Sequence, residues 1–300
     1  MKILEIDIAG NSTEKEISRR ELSTQFATHS RDLRPILSLR QMPTISRRGS
    51  AIVVNFRSVK LLIGKKSVLI FNLESEKISG KFVPELLEKI RSREKSRFEH
   101  VALEAALQYI LEKTRNKYDQ LLRAADFILE SLRVNLKDEK LEKLLAVKKQ
   151  ISKLGKNARE LDELLDELLD DDEELLELYF SEKQNDTDEI ESVLENALEQ
   201  IEDIFNRITE LNENIDDTQE IMTLKLSSRR NVIIQFDLLL TSITAIFSFL
   251  AVIVGIFGMN ILNTVEKNHA AFVAVIACLG IFAIAAGTLL VRWMRRKKIL

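Results

Sequence analysis

The spacing of hydrophobic positions changes along the chain, and each change predicts a different kind of element. Up to about residue 96, short apolar runs bounded by turn residues predict β-strands at Ile3–Ile8, Ile36–Leu39, Ala51–Phe56, Val59–Ile63 and Ser67–Phe71. Lys15–Phe26 and Pro84–Arg93 carry helical spacing. Arg47-Arg48-Gly49 predicts a turn and Gly64-Lys65-Lys66 a hairpin; neither has the glycine spacing of a phosphate loop. Together these elements describe a small α/β domain.

From Arg97 the pattern is helical almost to the end. One long helix is expected from about Arg97 to Val134 and a second from near Glu139. The second carries an apolar row at Leu144, Val147, Ile151, Leu154, Ala158, Leu161, Leu165 and Leu168, with Asp172 on its continuation. After a polar linker, Ser181 to Asp188, another heptad row follows: Ile190, Leu194, Ala197, Ile201, Ile204, Ile208, Leu211 and Ile215. Two such rows around a short linker predict an antiparallel helical hairpin. Its second arm continues past Arg230 as one helix of about 65–70 residues, roughly 100 Å long.

Two uninterrupted apolar stretches, about Val232 to Phe257 and Ala271 to Val291, each supply the roughly 20 residues a helix needs to cross hydrocarbon. The loop between them holds one acid, Glu266, and one base, Lys267. The outer flanks are basic: Lys225, Arg229 and Arg230 before, then Arg292, Arg295, Arg296, Lys297 and Lys298 after. The bias predicts a two-pass hairpin in a lipid bilayer with both termini inside. Trp293 stands where an interfacial aromatic would anchor the second span.

Charge sharpens the division. The net charge of −3 gives no reason to expect nucleic acid as a partner. Acid gathers between Glu160 and Glu220, which is where cation attraction in the soluble part should sit. The single cysteine, Cys278, excludes an internal disulfide and a cysteine zinc site, and His29, His100 and His269 form no motif. No nucleophile–base pair or nucleotide loop points to an enzyme. The first thirty or so residues resemble neither a secretory signal nor an Arg-rich transit peptide. A bacterial inner membrane is therefore the expected location, or a mitochondrial inner membrane if a presequence has been removed.

Along the first span, the small and polar side chains Asp237, Thr241, Thr244, Ser248, Ala251, Gly255 and Gly258 recur every three or four residues and share one helix face. Ser242 is the exception to this division. Tight helix packing accounts for Ala251, Gly255 and Gly258. It does not account for Asp237, because a carboxylate within a span needs water or a partner. A water-filled path shared by identical subunits supplies the water, and each position becomes a ring of like groups. Arg230, about two turns earlier on a similar face, then forms a basic ring at the inner mouth, which is awkward for cation flow.

The stripe ends in Gly258-Met259-Asn260. Here the sequence resembles the CorA superfamily of magnesium channels, whose first span ends in Gly-Met-Asn. Ser30-Arg31-Asp32-Leu33-Arg34, the segment from Phe98 through His100 to Leu107, and Leu168-Leu169-Asp170-Asp171-Asp172-Glu173-Glu174 are similar to the mitochondrial-type branch. The resemblance covers most of the chain. It implies an α+β fold with a small N-terminal α/β domain, a long helical stalk and two C-terminal transmembrane helices, assembled as a funnel-shaped homopentamer. It also implies that Mg2+ is the transported ion.

Magnesium sheds water reluctantly and prefers six oxygen ligands. A ring of Asn260 amide oxygens could accept hydrogen bonds from the intact hydration shell. Gly258 would permit close backbone approach, and Met259 would point away and pack the ring. Gly and Asn are also common at helix C-caps, a reading compatible with the first. Glu266 beside Lys267 gives the outer mouth modest cation attraction. The acids Asp170, Asp171, Asp172, Glu173 and Glu174 read either as a solvated helix face or as a regulatory Mg2+ site between subunits, with the ion holding the closed state.

The organisation expected is therefore an α/β domain over 1–96, a long-helix stalk over 97–231, the pore-lining span over 232–257, the motif and outer loop over 258–270, the second span over 271–291 and a basic tail over 292–300. The expected function is passage of hydrated Mg2+ down its electrochemical gradient, gated by inner-side Mg2+. The alternative is a coiled-coil membrane tether or receptor without conduction, which would need no polar face in lipid.

Overall fold

The computed structural model describes residues 1–29, 31–37, 42–71, 78–93, 96–134, 138–180, 188–259 and 269–297. They form two compact units, Met1–Asp216 and Asp217–Leu300.

The first unit opens with a six-stranded antiparallel sheet: β1 (Lys2–Asp7), β2 (Ser12–Glu16), β3 (Thr44–Arg48), β4 (Ala51–Asn55), β5 (Lys60–Gly64) and β6 (Ser67–Ile70), in spatial order β2-β1-β6-β5-β4-β3. Every residue of β4 and β5 is buried, so these strands are covered on both faces. On one face Ile3, Ala51, Val53, Leu62 and Leu69 meet Leu22 and Phe26 of the α1 (Arg19–Gln25) region and Ile36 of α2 (Arg34–Leu37). The helix α4 (Phe98–Val134) packs on β5. Between β6 and α4, a π-helical turn at Ile78–Phe82 leads into α3 (Val83–Ser92).

The structure corrects parts of the sequence reading. Lys15 and Glu16 belong to β2, and the helix begins only at Arg19, where Ser18 and Glu21 form a reciprocal capping box. Ile36 lies in a helical turn, with Pro35 in its first turn, where a missing N–H does no harm. Ser38 and Leu39 lie outside the described residues. Arg47 and Arg48 end β3, and the turn itself falls at Gly49.

Beyond α4 come α5 (Asp138–Asp170), α6 (Asp172–Glu177) and α7 (Asp188–Phe257). The expected row on α7 from Ile190 to Ile215 is buried at every position. On α5, Leu144, Ile151, Ala158, Leu161, Leu165 and Leu168 are buried likewise. The two helices run antiparallel. A Cβ at Gly155 would stand 3.2 Å from Ile208, and seven residues earlier on α5 Lys148 pairs with Asp216, eight residues later on α7. The polar linker residues 181–187 lie outside the described set.

The second unit contains the remainder of the 70-residue α7 and α8 (His269–Arg296). Both helices are long and apolar enough to cross a membrane.

Candidate functional site: the polar face of the first span

Asp237, Thr241, Thr244, Ser248, Ala251 and Gly255 on α7 and Gly258 just past its end are all exposed. A second row on the same helix is half-buried: Gln235, Leu239, Ser242, Ile246, Leu250 and Ile253. At about 100° per residue the second row lies roughly 180° around the helix from the first. On α8, Val275, Leu279, Ala283, Ala286 and Leu290 are half-buried and Met294 is buried. The rings of Phe249 and Phe282 meet with centroids 5.7 Å apart. The spans thus cover one another along these largely apolar rows, and the polar stripe faces away from α8.

This geometry accounts for Ser242. It belongs to the covered row, and its hydroxyl donates to the Leu238 carbonyl at 2.7 Å, so its polarity is absorbed by its own helix. Thr244 donates to the Leu240 carbonyl at 2.9 Å, which leaves oxygen lone pairs facing outward as acceptors.

The helix closes at Gly258, whose N–H donates to the carbonyls of Val254 (2.9 Å) and Gly255 (3.2 Å). Met259 is exposed and donates to the Ile256 carbonyl at 3.4 Å. Added to Gly255, a Cβ would meet nothing within 4 Å, and at Gly258 its nearest neighbour would be a carbonyl of the same helix at 3.5 Å. Among the described residues, therefore, no contact requires glycine at either position. Asn260 and Glu266 lie outside the described residues. Arg230 is exposed on α7, seven residues before Asp237 and so on a similar face.

The acidic run has a local structural role that the sequence reading missed. The chain breaks between α5 and α6 at Asp171, whose carboxylate accepts from the backbone N–H groups of Glu173 (2.9 Å) and Glu174 (3.1 Å). Asp with Glu three positions later is the sequence signal for such a cap. The break also corrects the expectation for Asp172. It is exposed rather than on the buried row, which resumes at Leu175 and Leu178. Asp170, Glu173 and Glu174 are exposed as well, and no group of three metal-ligating side chains occurs within the subunit among the described residues.

His100, which forms no motif with the other two histidines, proves to be 2% exposed. Its ring packs edge-on against Tyr179, with centroids 4.8 Å apart. The Arg97 guanidinium lies over the same Tyr179 ring. Arg47 donates to the carbonyls of Glu177 and Tyr179, at 3.2 and 2.8 Å. This polar and aromatic cluster joins β3, the start of α4 and the end of α6. Burial pushes the imidazole pKa down, and the Glu189 carboxylate opposes that shift.

A model of the MRS2-like magnesium transporter family matches residues 3–230. The chain belongs to that family. Magnesium is accordingly the ion that this MRS2-like protein transports, and the protein is not an enzyme. It is 26% identical to magnesium transporter MRS2-7 of Arabidopsis thaliana, over 97% of this chain and 91% of that protein. It is 27% identical to the mitochondrial inner membrane magnesium transporter MRS2 of Kluyveromyces lactis, over 92% of this chain and 66% of that protein. The CorA magnesium transporter of Methanocaldococcus jannaschii shares its fold with a TM-score of 0.70 at 16% identity, over 99% of this chain and 98% of that one. The full-length CmaX protein superposes with a TM-score of 0.57 at 10% identity, over 95% and 97%. The family match ends at Arg230, before the polar stripe, so the roles of the stripe residues rest on geometry and chemistry.

Proposed function

We propose that this MRS2-like protein is a channel subunit: a homopentamer whose first spans enclose a water-filled path that passes hydrated Mg2+ down its electrochemical gradient. The observation that carries the reading is the placement of the stripe from Asp237 to Gly258 opposite the row covered by α8. A tether would leave those polar groups in lipid, where Asp237 is costly. Copies of the same helix around an axis would give them water instead.

Asp237 supplies negative charge near the inner end, and Thr241, Thr244 and Ser248 supply oxygens that can hydrogen-bond a hydrated ion. Gly258, Met259 and Asn260 form the outer filter, with Asn260 amide oxygens accepting from the magnesium waters. Glu266 draws cations to the outer mouth. Arg230 raises the barrier at the inner mouth, and Asp237 offsets it. The basic flanks place both termini inside. Inner-side Mg2+ bound between subunits at Asp170, Asp172, Glu173 and Glu174 favours the closed state, because it cancels repulsion between facing acids. Asp171 is committed to its cap and contributes charge.

The test is Mg2+ flux into proteoliposomes, with subunit number measured by mass. Asn260→Ala should abolish flux while the assembly stays intact, and an unchanged flux would refute the filter. Neutralising Asp170, Asp172, Glu173 and Glu174 together should weaken inhibition by inner-side Mg2+.

A further inference from the structure

Where the turn between β4 and β5 meets α4 and α5, the first unit contains a cavity of about 270 Å3. Among the described residues that line it, Arg57, Lys113 and Lys117 are cationic and none is acidic. Asn157 of α5 completes the polar wall, and the rest is largely apolar, with Phe56 and Leu154 among it. In a chain with a net charge of −3, this is a local excess of positive charge.

Two features indicate that the excess is built in. Lys113 and Lys117 stand one helical turn apart on α4, a spacing at which like charges repel. Arg57 has φ 60, the left-handed region that a non-glycine residue rarely occupies. Its backbone N–H donates to Asn55 Oδ1 at 3.0 Å, and its guanidinium is held from α5, where Asn157 accepts one hydrogen bond and Glu160 pairs with it. Glu160 lies outside the lining and has Lys156 3.9 Å away as a second partner. The donor inventory also points one way. Arg57 has five N–H donors, of which these contacts use two, and lysine ammonium groups only donate. Because Asn157 Oδ1 accepts from Arg57, its amide N–H2 remains as a donor. A donor-rich, cationic, partly apolar cavity suits an acceptor-rich anion.

We propose that this cavity is a binding site for a small oligophosphate anion in its magnesium-free form. The volume is at the lower edge of the range for small-molecule sites, which favours a compact phosphate group over a whole nucleotide. Phosphate oxygens match Arg and Lys donors in charge and geometry. Mg2+ bound to the same oxygens removes charge and occupies acceptors, so the magnesium complex binds more weakly. The site belongs to the soluble unit and does not depend on the channel reading.

The test uses the full chain in detergent micelles and inorganic pyrophosphate as probe, read by calorimetry and by the shift in Tm. Saturable binding is expected, weakened about tenfold by Lys113→Gln and again by Lys117→Gln, each the loss of one charge-assisted contact. Excess Mg2+ should weaken it further. The Tm of the Lys117→Gln variant without pyrophosphate should match the parent, which separates loss of the site from loss of the fold. Absence of saturable binding would overturn the proposal. So would equal binding of sulfate, or affinity unchanged in the double variant.

Discussion

His100 Nδ1 lies 3.2 Å from Glu189 Oε2, joining the first turn of α4 to the first turn of α7. The carboxylate can only accept, so the neutral ring carries its proton on Nδ1. Nε2 is buried with no hydrogen-bond partner among the described residues. Protonation would place an N–H there with nothing to receive it.

This arrangement predicts a pH effect on stability. The groups around the ring are Glu189, Glu99, Arg97 and Tyr179, and burial outweighs the carboxylates in pushing the pKa below its usual 6.5. A base with a lowered folded pKa binds fewer protons folded than unfolded. Its contribution is therefore intact above about pH 6.5 and is lost as pH falls through the folded value. Thermal unfolding of the full chain in detergent between pH 7.5 and 5 should show a decline that His100→Gln flattens. Comparing the variant with its parent isolates this group from carboxylates such as Asp162, whose pKa burial raises. Parallel profiles would rule the mechanism out.

The turn after β3 offers a backbone test. Gly49 has φ 62, and a Cβ there would stand 2.4 Å from the Ala27 carbonyl oxygen. Both the conformation and the clash oppose any side chain, and the obstacle is backbone that cannot rotate aside. Gly49→Ala should lower stability by about 1–3 kcal/mol. At Gly80 the same addition meets nothing within 4 Å. Gly80→Ala is therefore the control, and chemical denaturation should show no loss of stability, since alanine in an unobstructed helical position can only hold or raise the midpoint.

The contact between α5 and α7 sets two effects against each other. Alanine in place of Gly155 gains about 1 kcal/mol of helix propensity. Its Cβ would also stand 3.2 Å from Ile208 Cγ2, a branched group with little freedom to move. Gly155→Ala alone should therefore change stability little. Replacing Ile208 by Val instead keeps Cγ2 and removes only the terminal methyl, so the relieving partner is Ile208→Leu, which moves the branch away from Cβ. The Gly155→Ala, Ile208→Leu double variant should be more stable than the sum of the single changes. A double-mutant cycle in urea measures that coupling, and strict additivity would show that the contact is unimportant.

Much of this fold was legible because burial imposes a period. The heptad rows of α5 and α7, the apolar strands β4 to β6 and both spans can be read directly from spacing. Strand β2 could not be. Ser-Thr-Glu-Lys-Glu is exposed throughout, and its strand character comes from pairing with β1 at the sheet edge. Heptad spacing puts Asp172 on the buried row, but the Asp171 cap breaks the helix there and leaves Asp172 exposed. At the membrane site, spacing identified the stripe but left Ser242 unexplained. Which face α8 covers is a tertiary fact that resolves it. The histidine cluster and the cationic cavity escaped notice for the same reason, since each gathers residues from elements far apart in sequence.

The opposition of the two rows on α7 yields the most direct test of the pore. If the stripe lines water, a cysteine at Thr244 should react rapidly with a charged thiol reagent that cannot enter lipid. A cysteine at Ile246, on the half-buried row beside α8, should react slowly. A cysteine at Phe247, exposed but off both rows, should face lipid and react slowly too. All three belong in a Cys278→Ala background, because the native thiol is exposed on α8. Modification at Thr244→Cys should also block Mg2+ flux in proteoliposomes, since an added charged group would obstruct the path. Slow reaction at Thr244→Cys, or fast reaction at all three positions, would remove the water-filled stripe and with it the reason to place ion flow along this helix.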